Sequence, residues 1–178
     1  EILKQMPSES VDMIMTSPPY FGLRSYLPQN HPNKLKEIGN EISIQKHLTV
    51  LLTIFSEVKR VLKPEGNFWL NYGDCYSSTG KLGGDFGQDG KITKGLSGRG
   101  RNNEIAEKSL MMLPERIALR MIDTQGWILR SKIIWAKQIY DKKEKRTKGS
   151  VMPTSVKDRF NTSWEYLFHF VKQKKYYF

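Results

Sequence analysis

Val11-Asp12-Met13-Ile14-Met15 is apolar apart from one aspartate and runs directly into Thr16-Ser17-Pro18-Pro19-Tyr20. Two successive prolines cannot continue a central strand, so the pattern predicts a buried strand feeding a stiff loop. Residues 21–42 contain Gly22, Pro28, Pro32 and Gly39 and read as a loop of a length usually reserved for function or motion. From Ile44 to Leu62 the period changes. Leu48, Leu51, Leu52, Phe55, Val58 and Leu62 recur three or four apart, which predicts one apolar helix face. Lys63-Pro64-Glu65-Gly66 ends it. Asn67 to Tyr72 then reads as a strand stopping at Gly73-Asp74.

Residues 77–103 are rich in Gly, Ser, Lys and Asn with few large apolar residues, the composition of a flexible loop. A second helix is expected over Leu113–Thr124, with Pro114 in its first turn and Gly126 beyond its end. Trp127 to Trp135 predicts a third strand, residues 137–150 a basic loop, and Tyr166 to Val171 a fourth strand. Tyr176-Tyr177-Phe178 begins another apolar segment. Strands alternating with helices predict an α/β layer and a mostly parallel sheet. The last two strands have no helix between them, so an antiparallel edge hairpin is expected. No internal repeat is visible.

A net charge of +11 suits a polyanionic partner, because Lys and Arg that neutralise phosphates release counterions. A solvated basic surface is the alternative. One cysteine, Cys75, excludes an internal disulfide and a cysteine-rich zinc site and fits a reducing, cytoplasmic setting. His31, His47 and His169 lack metal-ligand spacing, so no metal is expected. No apolar run reaches the roughly 20 residues of a membrane-spanning helix. The start, Glu1-Ile2-Leu3-Lys4, is not a signal peptide. It also lacks an initiator Met, so upstream residues are expected to be missing.

In an open α/β sheet ligands sit beyond the carboxyl ends of the strands, which puts the proline loop in position for a site. Ser17 supplies a hydroxyl and Tyr20 an aromatic face. A rigid turn with its tyrosine packed on the core is the structural alternative.

Ser17-Pro18-Pro19-Tyr20 after a strand resembles the hallmark loop of the S-adenosylmethionine-dependent amino-group DNA methyltransferases. Further segments match in order: Phe21 to Tyr26, Glu57 to Gly66, Leu70 to Asp74, Gly126 to Lys137, Pro153 to Arg159, Trp164 to Tyr166 and Lys172 to Tyr177. The resemblance implies a Rossmann-like methyltransferase sheet occupying residues 1–178. It further implies transfer of a methyl group to the exocyclic N4 of cytosine in double-stranded DNA, with N6 of adenine as the alternative target. Its Ser form is commonest among N4-cytosine enzymes.

The chemistry accounts for the loop. The exocyclic amine is a weak nucleophile because its lone pair is delocalised into the ring. The resemblance implies that Ser17 Oγ and the Pro18 carbonyl accept both amino hydrogens and turn the lone pair toward the sulfonium methyl. Tyr20 would stack on the base once it has flipped out of the duplex. Thr16, Ser17 and Pro18 are also expected beside the cofactor. No covalent intermediate is required, unlike C5 methylation, which needs a nucleophilic thiolate. Cys75 is expected to be a bystander.

Arg24, Arg99, Arg101, Lys143 and Arg146 are the expected DNA contacts. Asp74 and Glu165 are candidates for shaping the pocket, with structural pairing as the alternative. The family's Phe-x-Gly-x-Gly cofactor turn is absent. Phe86-Gly87-Gln88-Asp89-Gly90 has the wrong spacing and follows no strand. The order of segments fits an arrangement in which the catalytic loop precedes the cofactor motif. The chain is therefore expected to be incomplete, lacking most of the cofactor half. Trp164 departs from the histidine common at that position. Three other readings compete: a non-catalytic nucleic-acid-binding module, an RNA methyltransferase and a protein-amide methyltransferase. A cognate restriction endonuclease is an expected partner of the DNA enzyme.

Overall fold

The helical period over Ile44–Leu62 becomes a helix because its apolar side chains can all reach one sheet face. A computed structural model describes residues 2–28, 30–77, 105–151 and 156–177. The elements are α1 (Ile2–Gln5), β1 (Val11–Thr16), a 3-10 turn (Lys34–Lys36), α2 (Ile44–Val61), β2 (Leu62–Tyr72), α3 (Leu113–Gln125), β3 (Ile128–Ala136), β4 (Gln138–Asp141), β5 (Arg146–Gly149) and β6 (Trp164–Val171). Ser43 opens α2 by accepting the Lys46 N–H at 3.1 Å, satisfying one of the donors a helix start leaves free. Gly126 closes α3 at φ +63°, a left-handed cap that suits glycine.

Leu48, Leu51, Phe55 and Val58 of α2 and Leu113, Ile117 and Met121 of α3 share one core cluster with Phe68, Leu70, Phe168 and Phe170 of the sheet. Each such side chain, fully buried, stabilises the fold by about 1.5–3 kcal/mol. Among the described residues no helix is long and apolar enough to cross a membrane.

The main sheet has the order β1-β2-β6-β3. β1 and β2 are parallel, and β6 is antiparallel to both β2 and β3. Thus β1, β2 and β3 point one way and β6 runs back between two of them. The expected antiparallel pair at the sheet edge is formed by β3 and β6. β6 is its inner member, with Phe168, His169, Phe170 and Val171 buried, as suits an interior strand. β3 takes the edge, and its exposed Arg130-Ser131-Lys132 suits an edge. A second antiparallel hairpin lies within residues 137–150, where β4 pairs with β5 in place of the expected loop.

β1 is also less buried than expected. Met13 and Met15 are 58% and 62% exposed, because β1 is an edge strand whose second face is uncovered among the described residues.

The loop over residues 21–42 is tied down by one carboxylate. Glu37 accepts hydrogen bonds from the Tyr26 and Leu27 backbone N–H groups, from Ser25 Oγ and from Asn40 Nδ2. It also pairs with Lys34 Nζ at 2.8 Å. Both side chains of this pair are nearly buried, 8% and 5% exposed.

Candidate functional site

β1, β2 and β3 end, and β6 begins, along one edge of the sheet. Thr16 lies opposite Leu70, Tyr72 opposite Tyr166, and Ala136 opposite Trp164. Four segments therefore converge there: Ser17-Pro18-Pro19-Tyr20, Gly73-Asp74, Lys137 and Trp164-Glu165. Between them lies a cleft of about 280 Å³, lined by Tyr20, Tyr72, Tyr76, Trp164, Glu165 and Tyr166 among others.

The tip's geometry follows from its neighbours. Pro18 and Pro19 fix their own φ angles. The Tyr20 ring meets Tyr72 edge-on, 5.1 Å between centroids at 88°. It lies so close to Gly73 that a Cβ there would come 2.6 Å from Tyr20 Cε2. Gly39, at φ +92°, supports the tip from the other side; a Cβ there would sit 2.8 Å from the Tyr20 carbonyl oxygen.

The Tyr20 hydroxyl is a junction. Ser17 Oγ donates to it at 3.4 Å, and it reaches Asn71 Oδ1 at 3.3 Å and Glu165 Oε2 at 3.2 Å. Burial, reinforced by the Glu165 charge and opposed by the Ser17 hydrogen bond, holds its pKa above the ordinary phenol value. Glu165 Oε2 is also paired with Lys137 Nζ at 2.9 Å, and that ammonium stands 4.1 Å from the Trp135 ring centroid.

Beneath the tip runs a buried polar string. His47, fully buried on α2, bonds Glu41 Oε2 through Nδ1 at 2.8 Å and the Tyr72 hydroxyl through Nε2 at 2.6 Å. Burial and the nearby anionic groups raise the Tyr72 pKa. Burial alone would also raise Glu41, but the hydrogen bond and charge of His47 outweigh it and hold Glu41 below its ordinary value. His47→Ala would leave Tyr72 and Glu41 without their partner, so a loss of about 1–3 kcal/mol is expected in urea unfolding. A midpoint equal to wild type would contradict this.

Asp74 has a structural task. It accepts the backbone N–H groups of Met112 at 2.9 Å and Leu113 at 3.1 Å, capping α3, and that of Cys75 at 2.9 Å. Burial nevertheless raises its pKa. Cys75 lies against the Phe21 carbonyl and Met111 Sδ. Burial pushes its thiol up to about 12, so it offers little thiolate.

Of the expected DNA contacts, Arg99 and Arg101 lie outside the described residues. Arg24 is exposed just beyond the tip, and Lys143 is exposed in the β4–β5 turn. Arg146 is exposed but paired with Glu144, and Lys148 pairs with both Asp141 and Glu144, so part of the ribbon's positive charge is already compensated. His47, Asn71 and Lys137 were not singled out for the site. For His47 a signal existed: Ile44, His47, Leu48 and Leu51 share one helical stripe, so its ring had to be buried and satisfied.

The family model for DNA methylases of the N6/N4 type matches residues 11–178. The Type II methyltransferase M.Cfr9I of Citrobacter freundii is 39% identical over 178 residues, covering 99% of this chain and 53% of the relative. Among solved structures, the PvuII DNA methyltransferase (cytosine-N4-specific) aligns with TM-score 0.59 at 19% identity, over 99% of this chain and 47% of that one. The Thermus thermophilus protein TTHA0409, a putative DNA modification methylase solved with S-adenosyl-L-methionine, aligns with TM-score 0.57 at 22% identity, over 99% and 54%. The chain thus spans about half the length of the relatives it matches. The methyltransferase sheet, the proline tip at its carboxyl edge and the family match agree: this chain belongs to the N6/N4 DNA methylases.

Proposed function

We propose that the intact protein transfers a methyl group from S-adenosylmethionine to the exocyclic N4 of cytosine in double-stranded DNA. The observation that carries this reading is the rigid Ser17-Pro18-Pro19-Tyr20 tip opening onto an aromatic cleft at the carboxyl ends of β1 and β2. A base flipped from the duplex would stack on the Tyr20 ring. Ser17 Oγ keeps lone pairs free while its hydrogen points to Tyr20. It and the Pro18 carbonyl accept the two amino hydrogens, drawing the nitrogen out of conjugation. Pre-positioned acceptors of this kind need little reorganisation during reaction.

S-adenosylmethionine supplies an electrophilic methyl group when bound. Thr16, Ser17 and Pro18 are the residues of this chain that would lie against it. Their chemistry fits, since residues 16–20 carry no charged side chain to repel a sulfonium. Arg24, Lys143, Arg99 and Arg101 would contact DNA phosphates. Arg146 would exchange its Glu144 partner for a phosphate. A cytoplasmic setting and a cognate restriction endonuclease fit the Type II name of M.Cfr9I.

The target base is decided by hydrolysing DNA methylated by the intact protein and identifying the modified nucleoside. N4-methylcytosine is expected. N6-methyladenine moves the protein to the family's other branch. Unmodified DNA alongside modified RNA or protein amide, or binding without any methylation, overturns the proposal.

A further inference from the structure

The tip does not end at Ser17. Ser17 Oγ–H donates to the Tyr20 oxygen, and the Tyr20 O–H reaches Glu165 Oε2, so two donors point the same way along one line. The line terminates in a carboxylate that lines the cleft and keeps 25% of its side chain exposed. Among the described residues both partners of the Glu165 side chain, Tyr20 and Lys137, hold Oε2. Among the described residues Oε1 is left as an acceptor at the cleft wall. The competing acceptor, Asn71 Oδ1, belongs to a neutral amide that cannot store a proton, and its Nδ2 is fixed on the Tyr166 carbonyl.

We propose that Ser17, Tyr20 and Glu165 form a proton exit from the reacting amine, with Glu165 as its terminal acceptor. This rests on the methyltransferase reading above.

The amine nitrogen gains the methyl carbon while the carbon–sulfur bond breaks, and the sulfonium becomes a neutral thioether. The nitrogen must then lose one proton. That proton passes to Ser17 Oγ as the Ser17 hydrogen moves to the Tyr20 oxygen and the Tyr20 hydrogen to Glu165. The resulting carboxylic acid releases one proton to water at the cleft mouth. Tyr20 only relays: a phenol held above its ordinary pKa passes a proton on without resting as phenolate. Lys137, with its ammonium beside Trp135, keeps the carboxylate aimed at Tyr20. Glu165 acts through Tyr20 and is a positioning residue; Ser17 is the member that touches the amine.

The test uses the full-length protein with its cofactor and duplex DNA bearing 2-aminopurine at the target base or a normal target. Glu165→Gln preserves shape and removes the acceptor; Tyr20→Phe removes the middle link. Both are expected to slow single-turnover methylation about 10²-fold, at the lower end of what a placed proton acceptor contributes. Glu165→Gln should leave DNA affinity and the flipped-base fluorescence unchanged, a split that a merely structural role would not give. A Glu165→Gln protein that methylates at the wild-type rate overturns the exit alone. So does one whose rate, affinity and fluorescence fall together. A wild-type protein that methylates no DNA removes the parent reading and the exit with it.

Discussion

Ser17→Ala in the intact protein is expected to lower the single-turnover methylation rate by about 10²–10³-fold, the cost typical of deleting one pre-aimed polar group at a reacting centre. The expectation is large because Ser17 has two connections. On the proposed function its oxygen is the side-chain acceptor for the amine, while its hydrogen is committed to Tyr20. Under that proposal alanine leaves the Pro18 carbonyl as sole acceptor, so the amine keeps more of its conjugation. DNA affinity should change little, because Ser17 is exposed at the tip and carries no charge. Fold stability should also hold, since no core contact is lost. Rapid-quench methylation with saturating cofactor and DNA measures the effect. A variant within about threefold of wild type would remove Ser17 from the chemistry.

The second large effect concerns stability. Glu37 gathers the chain over residues 25–40 through five donors. Burial by itself would raise its pKa, but hydrogen bonds from Lys34 and from the Leu27 and Tyr26 N–H groups prevail and lower it from 4.5 to about 2. A depressed carboxyl pKa means the unfolded chain takes up the proton first. The contribution is therefore complete above pH 4.5 and is lost as pH falls through about 2. The size of the shift corresponds to about 3 kcal/mol. Glu37→Gln should remove a stabilisation of that order at pH 7 and flatten the stability profile between roughly pH 5 and 2. Urea midpoints across that range measure it; parallel wild-type and variant curves would contradict it. Lys34 is left nearly buried beside a neutral amide in the variant, which adds to the loss.

The fold was legible where periodicity was unambiguous. The stripe from Leu48 to Val58 identified α2 and its buried face, and Pro114 with Gly126 bracketed α3. Strand order was harder, because pairing is a tertiary property. An antiparallel pair at the edge was legible, but not that β6 would be its inner member, wedged between β2 and β3. The β4–β5 ribbon escaped because Lys and Arg dominate its composition, and a hairpin closed by Asp141, Glu144 and Lys148 ion pairs leaves no apolar alternation. At the site, the proline tip drew attention through its place after β1 and its resemblance to the family's loop. Glu41, His47 and Asn71 did not, since each acts through a partner far away in sequence. Lys137 was hidden among the basic residues around it, and only the register of β3 against β6 brings it to Glu165.

Tyr20 wedged against Gly73 and Tyr72, with the His47 string below, makes the tip an anvil. Prolines stiffen its top and the core backs its underside, so it has little room to swing toward a substrate. Under the proposed function the nucleotide does the travelling, rotating fully out of its helix before any chemistry can begin. Sequences whose target pair opens easily should therefore be modified fastest, even where the protein touches them identically.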